Sequence, residues 1–449
     1  MPVTTSILQG DALAVLAGLP GNHFHCCVTS PPYWGLRDYG LPPSVWGGDA
    51  GCSHEWAETA VATEVGRGNW AQAVNGRGEA QGDAATFREP IRSSSVQGFC
   101  IRCGAWRGCL GLEPSPALFV EHLASIFRAV RRVLRPDGSL WVNMGDTYNA
   151  YNGNRGPSTS FSDGTDGRGH PCHRRGLMSD SLKPKDLVGI PWRLAFALQD
   201  DGWYLRSDII WSKSNPMPES VTDRPTKAHE YIFLLTKSAR YFYDAEAVKE
   251  PCTDVSTARR GRNDFRDKPG LEEAYHGNAP KGLNNGNVTA MRNKRSVWEI
   301  PTQSYSGAHF ATFPEELPQT CILAGTSARG CCSVCGSPWR RVMERTEAPD
   351  VSAKGSRFDQ GKTGARDGGG RTQAGERCLK VAAGWEAGCS CADAEVVPCR
   401  VLEPFCGSGT TLAVAHRLGR SGLGIELNPE YVEMAERRIA KETPALDLF

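Results

Sequence analysis

No run of apolar residues in this chain is long enough to span a bilayer. The N-terminus, Met1-Pro-Val-Thr-Thr-Ser6, lacks the basic and then apolar layout of a signal peptide. An excess of charge of one sign is missing too, since 51 Lys and Arg face 50 Asp and Glu for a net +1. The total therefore does not announce a nucleic-acid binder, although a near-neutral sum can hide a basic stripe. No nuclease motif is evident. These absences exclude a membrane span and leave a soluble protein with a cytoplasmic location as the expectation.

Cysteine, by contrast, is abundant. Seventeen cysteines in a chain of 449 residues, without a secretion signal, point to metal rather than to disulfides where they cluster with His. Cys100-Ile-Arg-Cys103 has zinc-knuckle spacing, and Cys52-Ser-His54 lies upstream of it. Together they form one candidate structural zinc site. Cys332-Ser-Val-Cys335 with Cys389-Ser-Cys391 forms a second, all-cysteine candidate, with Cys331, Cys378 and Cys399 as alternative ligands. Cys26, Cys27, Cys321 and Cys406 read as buried or incidental.

Two segments alternate strand and helix, which predicts an α/β fold: a mostly parallel sheet with helices on both faces. The first holds strands at 6–11 and 24–29, then a helix from Pro116 to Leu134, a turn at Arg135-Pro-Asp-Gly138 and a strand over 139–144. A helix over 186–199 and strands over 203–211 and 231–236 follow. The last segment holds strand 400–404, helix 411–418, strand 421–426 and a closing helix from Pro429. Residues 50–100 are poor in aliphatic side chains and read as an inserted loop region with little core. The stretch 252–296 is polar and Gly-rich, and its basic residues outnumber its acids.

Ligands of such sheets bind beyond the carboxyl ends of the strands, and the two sharpest motifs fall there. Glu403-Pro-Phe-Cys-Gly-Ser-Gly-Thr-Thr411 joins a strand to a helix, and Gly407 and Gly409 permit close backbone approach to a ligand. No Lys follows these glycines, which disfavours a phosphate-cradling loop. Glu426, at the end of the next strand, is positioned to bind both hydroxyls of a ribose. The other motif is Thr29-Ser30-Pro31-Pro32-Tyr33-Trp34. Its prolines remove two donors and stiffen the turn, leaving the carbonyls of Ser30 and Pro31 free to accept the protons of an amine. Tyr33 and Trp34 offer flat faces for a base drawn out of a duplex.

The pair resembles the amino-methyltransferases of DNA, with Ser30-Pro-Pro-Tyr33 as their catalytic motif and Phe405-x-Gly-x-Gly409 as their cofactor motif. The catalytic motif comes first, which matches the permuted β group. Gly10-Asp11, Leu134–Asn143, Trp211-Ser-Lys-Ser-Asn215, His229–Leu234 and Ala308-His-Phe-Ala-Thr-Phe-Pro314 resemble further segments of that family, spread over most of the chain. The resemblance implies a Rossmann-like methyltransferase sheet, here with zinc-bearing insertions, and S-adenosylmethionine as cofactor. It implies that Asp11, Phe310, Glu403, Phe405, Gly407, Gly409, Thr410 and Glu426 bind that cofactor, and that Ser30, Pro31, Pro32 and Tyr33 act on the flipped base of double-stranded DNA. Ser at the first catalytic position resembles the cytosine-N4 enzymes, whereas adenine-N6 enzymes more often carry Asp or Asn there. A cognate restriction endonuclease is compatible with such a family.

The expected organisation is a catalytic domain in three parts (1–48, 111–251 and 398–449), a Gly-rich zinc-bearing insertion at 49–110, a target-recognition segment at 252–297, a cofactor-covering segment at 298–330 and a second zinc-bearing insertion at 331–397. Two rival readings stand beside this one. Methylation of RNA or of protein glutamine also uses a Pro-Pro-Tyr, but with the cofactor motif first. A catalytically silent DNA-binding module would not require intact motifs at both ends.

Overall fold

A computed structural model of the chain describes residues 2–35, 41–65, 91–149, 182–251, 291–303, 313–347, 378–392 and 394–443. Its centre is an eight-stranded sheet. In chain order the strands are β1 (Thr5–Gln9), β2 (Phe24–Thr29), β3 (Leu134–Met144), β4 (Tyr204–Ser212), β5 (His229–Thr236), β6 (Val297–Glu299), β7 (Arg400–Glu403) and β8 (Ser421–Glu426). Across the sheet they run β1-β8-β7-β2-β3-β5-β4-β6. β5 alone is antiparallel to its neighbours; every other pairing is parallel.

Period-two alternation sends neighbouring side chains of each strand into different layers. Cys27, Leu140, Val142 and Leu402 enter one core, whereas Cys26, Val28, Trp141 and Val401 enter the other. Helices α1 (Ala12–Gly18), α2 (Pro116–Val133) and α3 (Ile190–Asp200) cover the first face, supplying Leu16, Phe119, Leu123, Phe127, Val130 and Leu194. On the second face, α4 (Glu316–Gly325) and α5 (Thr410–Arg417) supply Leu317, Ile322, Val414 and Ala415. α6 (Pro429–Ile439) packs Ala435 against Leu412. α2 forms where its apolar spacing predicts, and it is capped by Ser115, whose hydroxyl accepts the Leu118 amide at 3.3 Å, with Pro116 in its first turn.

Three local expectations need correction. The described parts of 50–100 are not loop alone, because Trp56–Val65 pairs antiparallel with Ile91–Cys100 in a four-stranded sheet that also holds Ser44–Trp46 and Trp106–Gly108. Among its described side chains, Trp46 and Trp106 are buried and both stack on His122 of α2. Arg135–Gly138 lies within β3, yet the register slips there, with five steps on β3 (Leu134 to Ser139) against two on β2 (Phe24 to Cys26). α3 starts at Ile190 rather than Asp186 because Gly189, at φ 77°, and the Asp146 carboxylate cap it there.

Candidate active site and metal clusters

Seven parallel strands bring their carboxyl ends to one edge, and the reversed β5 brings its beginning to that edge. β7 and β2 lie side by side, with Leu402 opposite Cys27, although the chain continues from them in opposite directions across the sheet. This is the switch point where an open α/β sheet leaves a crevice. The Ser30–Tyr33 turn leaves β2 at that crevice and the Phe405–Gly409 turn leaves β7 beside it.

Glu403 joins the two turns. It is 1% exposed. One carboxylate oxygen accepts the Thr29 hydroxyl and the Phe405 amide, and the other accepts the Thr411 hydroxyl at 2.8 Å. Both oxygens are thus engaged by protein, and burial pushes this carboxyl up to about 8. Glu426 ends β8, half-buried, and accepts the amides of Gly407 (2.7 Å) and Asn428 (2.9 Å). Burial raises it as well. Gly407 (φ 53°) and Gly409 (φ 79°) hold left-handed backbone, and a Cβ on Gly409 would lie 2.7 Å from that of Ala435. Thr410 is buried, its hydroxyl taken by Arg438 at 2.8 Å. Phe405 packs partly buried against the first core.

Across the sheet, β1 pairs with β8 so that Gln9 lies opposite Glu426. Asp11, just beyond, caps α1 through the amides of Leu13 and Ala14 and accepts the Ser44 hydroxyl at 3.2 Å. The structure thus gathers Asp11, Glu403, Phe405, Gly407, Gly409, Thr410 and Glu426 around one sheet edge. Phe310 lies outside the described residues, as do 252–290 of the basic stretch.

On the other side of the crevice, Tyr33 is half-buried and donates its hydroxyl to Glu230 at 2.6 Å. Asn143 donates to the Tyr33 oxygen and to Glu230, each at 2.9 Å, and Ser30 lies 3.4 Å from the same hydroxyl. Lys213 closes the group with an ion pair to Glu230 at 2.5 Å. Burial, and then the Glu230 carboxylate, hold the Tyr33 phenol well above its ordinary pKa, so it stays protonated. The ring lies over the end of β3, where a Cβ on Gly145 would meet it at 2.5 Å. Sequence motifs assign no role to Asn143, Glu230 or Lys213. All three lie in segments that resemble the family, and the structure shows why they meet: Asn143 sits near the end of β3, Lys213 directly follows β4, and Glu230 is the second residue of the reversed strand.

Trp34 does not offer the stacking face expected of it. It is 1% exposed, packed in the first core, with its indole N–H donated to the Glu113 carbonyl at 2.9 Å. An indole next to a turn is drawn inward when an apolar layer lies beneath it, and only Tyr33 of the pair remains at the crevice.

Both cysteine groups assemble. The ligand atoms of Cys52, His54, Cys100 and Cys103 all lie within 4.8 Å of one another, as do those of Cys332, Cys335, Cys389 and Cys391. Cys331 and Cys399 belong instead to a buried trio with His25. That imidazole has no free nitrogen: Nδ1 accepts the Arg400 amide at 3.0 Å, and Nε2 pairs with the Gly336 carbonyl at 2.8 Å. The trio is therefore a packed contact rather than a metal site.

The sequence profile of the N6/N4 DNA methylases matches residues 24–332 and 400–437. The Type II methyltransferase M.Cfr9I of Citrobacter freundii is 33% identical over 441 residues, covering 97% of this chain and 88% of the relative. M.SmaI of Serratia marcescens is 32% identical over 435 residues, covering 97% and 90%. Among solved structures, the cytosine-N4-specific PvuII DNA methyltransferase superposes with a TM-score of 0.46 at 13% identity, over 99% of this chain and 89% of that one. A DNA modification methylase of Thermus thermophilus, in complex with S-adenosyl-L-methionine, gives 0.41 at 18% identity, over 99% and 96%.

Proposed function

This chain belongs to the N6/N4 DNA methylase family, and from that premise we propose that it methylates the exocyclic N4 of cytosine in duplex DNA, with S-adenosylmethionine as methyl donor. The observation that carries the reading is the juxtaposition of the Ser30–Tyr33 turn and the Phe405–Gly409 turn at the switch point, bridged by the Glu403 hydrogen bonds. The donor set suits the cofactor. Acidic groups at Asp11 and Glu426 favour a sulfonium cation and a ribose diol, and would repel the phosphates that a glycine turn otherwise attracts. When bound, S-adenosylmethionine supplies an electrophilic methyl group.

The residues then divide the work. Phe405, Gly407, Gly409, Asp11 and Glu426 bind and orient the cofactor, with Phe310 as a further contact. Glu403 and Thr410, whose polar atoms are already engaged by protein, hold the turn in shape from beneath. Ser30 and the Pro31 carbonyl accept the protons of the target amine, which localises its lone pair toward the methyl group. Pro32 fixes the carbonyl geometry, and Tyr33 lies against a base extruded from the helix. Attack of the amine nitrogen at the methyl carbon, with the carbon–sulfur bond breaking to leave a neutral thioether and the surplus amine proton passing to solvent, needs no covalent enzyme intermediate, so positioning and electrostatics supply the acceleration. Ser30 at the first catalytic position favours cytosine over adenine. Structural zinc at the two four-ligand groups completes the cofactors. The Type II relatives make a cognate restriction endonuclease the natural functional partner, and among the described residues no helix is long and apolar enough to cross a membrane.

The test is product analysis. The protein, unmethylated duplex DNA of mixed sequence and S-adenosylmethionine are incubated, the DNA is digested, and nucleosides are identified by mass spectrometry. N4-methylcytosine is expected, with a rate on the order of 100-fold lower for Tyr33→Ala. N6-methyladenine would overturn the choice of base and keep the mechanism. Absence of any methylated nucleoside, with cofactor binding intact, would sink duplex DNA as the substrate.

A further inference from the structure

Resting on the reading of the two cysteine groups as structural zinc sites, we infer that they serve opposite ends of the sheet: the Cys52/His54/Cys100/Cys103 site positions the catalytic turn, and the Cys332/Cys335/Cys389/Cys391 site clamps the far edge of the fold. The first group has the dimensions of a filled tetrahedral site. Zinc–sulfur and zinc–nitrogen bonds of about 2.3 and 2.0 Å imply S···S near about 3.8 Å and S···N near about 3.5 Å. Cys52 and Cys100 sulfurs lie 3.9 Å apart, and the Cys103 sulfur lies 3.4 Å from His54 Nδ1. No carboxylate competes among these four ligands, and the knuckle turn is tight: the Gly104 amide donates to the Cys100 carbonyl at 2.9 Å, and a Cβ on Gly48 would fall 2.8 Å from the Cys103 sulfur.

The sheet that carries this site grows directly from the catalytic turn. The chain enters it just after Trp34 and returns at Gly111, where the Gly35 amide donates to the Gly111 carbonyl at 2.8 Å. A Cβ on Gly111 would meet the Tyr33 carbonyl at 3.2 Å and Pro32 at 3.5 Å. Glu113 holds the junction. Its carbonyl takes the Trp34 indole, and its carboxylate takes the Gly111 amide at 2.8 Å and His122 at 3.0 Å. His122 in turn carries the stacked Trp46 and Trp106. The return of the insertion at Gly111–Glu113 thus lies against Pro32, Tyr33 and Trp34, and zinc is what ties its two long strands to its opening loop.

The second group touches the opposite edge. The Cys335 carbonyl accepts Arg135 at 2.7 Å, and the Gly336 carbonyl accepts His25 at 2.8 Å. His25 stands at the beginning of β2, five residues before Ser30, or about 16 Å away along an extended strand. Nothing in this contact reaches the crevice, so its zinc stabilises the fold without setting the catalytic geometry.

Elemental analysis by inductively coupled plasma mass spectrometry counts the metal, with two zinc ions per chain expected and one in each of Cys100→Ser/Cys103→Ser and Cys332→Ser/Cys335→Ser. Amide hydrogen exchange then separates the roles. Loss of the first site should speed exchange at Gly35 and slow single-turnover methyl transfer, each on the order of 10- to 100-fold, while cofactor affinity stays within about threefold. Loss of the second should lower the melting temperature and speed exchange at Arg400, leaving Gly35 as it was. If the first variant does not fold, chelator stripping and zinc re-addition on the Cys332→Ser/Cys335→Ser protein, which keeps only the first site, gives the same exchange readout reversibly. A wild type without zinc, or Gly35 exchange indifferent to loss of the first site, would overturn the inference and leave the proposed methyl transfer standing. Failure to methylate DNA with the zinc and exchange results intact would overturn the proposed function alone.

Discussion

The Tyr33 hydroxyl is shared between two partners that lie far from it in the chain, Asn143 and Glu230. A proline-stiffened turn fixes where Tyr33 starts, but the ring's angle depends on what holds its far end. Glu230 also carries Lys213, whose side chain is 21% exposed, so neutralising the acid strands a half-buried cation. We expect Glu230→Gln to keep cofactor affinity and to lower kcat by about tenfold, with about 1–3 kcal/mol of stability lost. Isothermal titration beside steady-state kinetics checks the split, and a loss confined to cofactor affinity would refute it. The Ser30–Tyr33 turn is legible in the sequence because its residues are consecutive. Glu230 is not, since nothing in its own neighbourhood says that its strand runs backwards.

At the scale of elements, periodicity locates most helices and strands, and the misplacements share one cause: tertiary partners move the ends. α3 begins only where Asp146, beyond the end of β3, reaches the amides of Gly189 and Ile190. Asp146→Ala should therefore cost about 0.5–2 kcal/mol, as loss of a helix cap does, and this is measurable as a lower denaturant midpoint with an unchanged slope. The insertion after the Ser30–Tyr33 turn looks coreless in sequence because aliphatic residues are few. Trp46 and Trp106 stack there on His122, and that stacking exists only once α2 has been folded against it.

At the scale of the whole molecule, Glu403 links the beginning of the chain to its end. It receives the Thr29 hydroxyl from 374 residues away, and burial raises its carboxyl from an ordinary 4.5 to about 8. A carboxyl raised on folding contributes its stability fully below the unfolded value and loses it as pH rises through the folded one. Stability should therefore fall between those two values, by up to about 1.4 kcal/mol per pH unit from this group. Glu426, raised in the same direction by burial, adds its own share. Glu403→Gln should flatten the wild-type profile by the Glu403 share, and melting curves taken from about pH 5 to pH 8 would show it. An unchanged slope would mean that Glu403 is ionised in the folded protein.

The sequence by itself determined the α/β class, the two turns that face the crevice and the membership of both cysteine groups. Each of these rests on short-range spacing: alternation within a strand, glycines within a turn, two residues between paired cysteines. Only the tertiary structure decided that Trp34 is core rather than stacking surface, that Asn143, Lys213 and Glu230 brace Tyr33, and that Glu403 is engaged internally. It also decided that the loop of the Cys332/Cys335/Cys389/Cys391 group touches His25 and Arg135 at the beginnings of β2 and β3. The physical reason is that the order β1-β8-β7-β2-β3-β5-β4-β6 brings together residues hundreds of positions apart. Which side chain is then desolvated, and which is satisfied, depends on those neighbours rather than on the residues beside it in the chain.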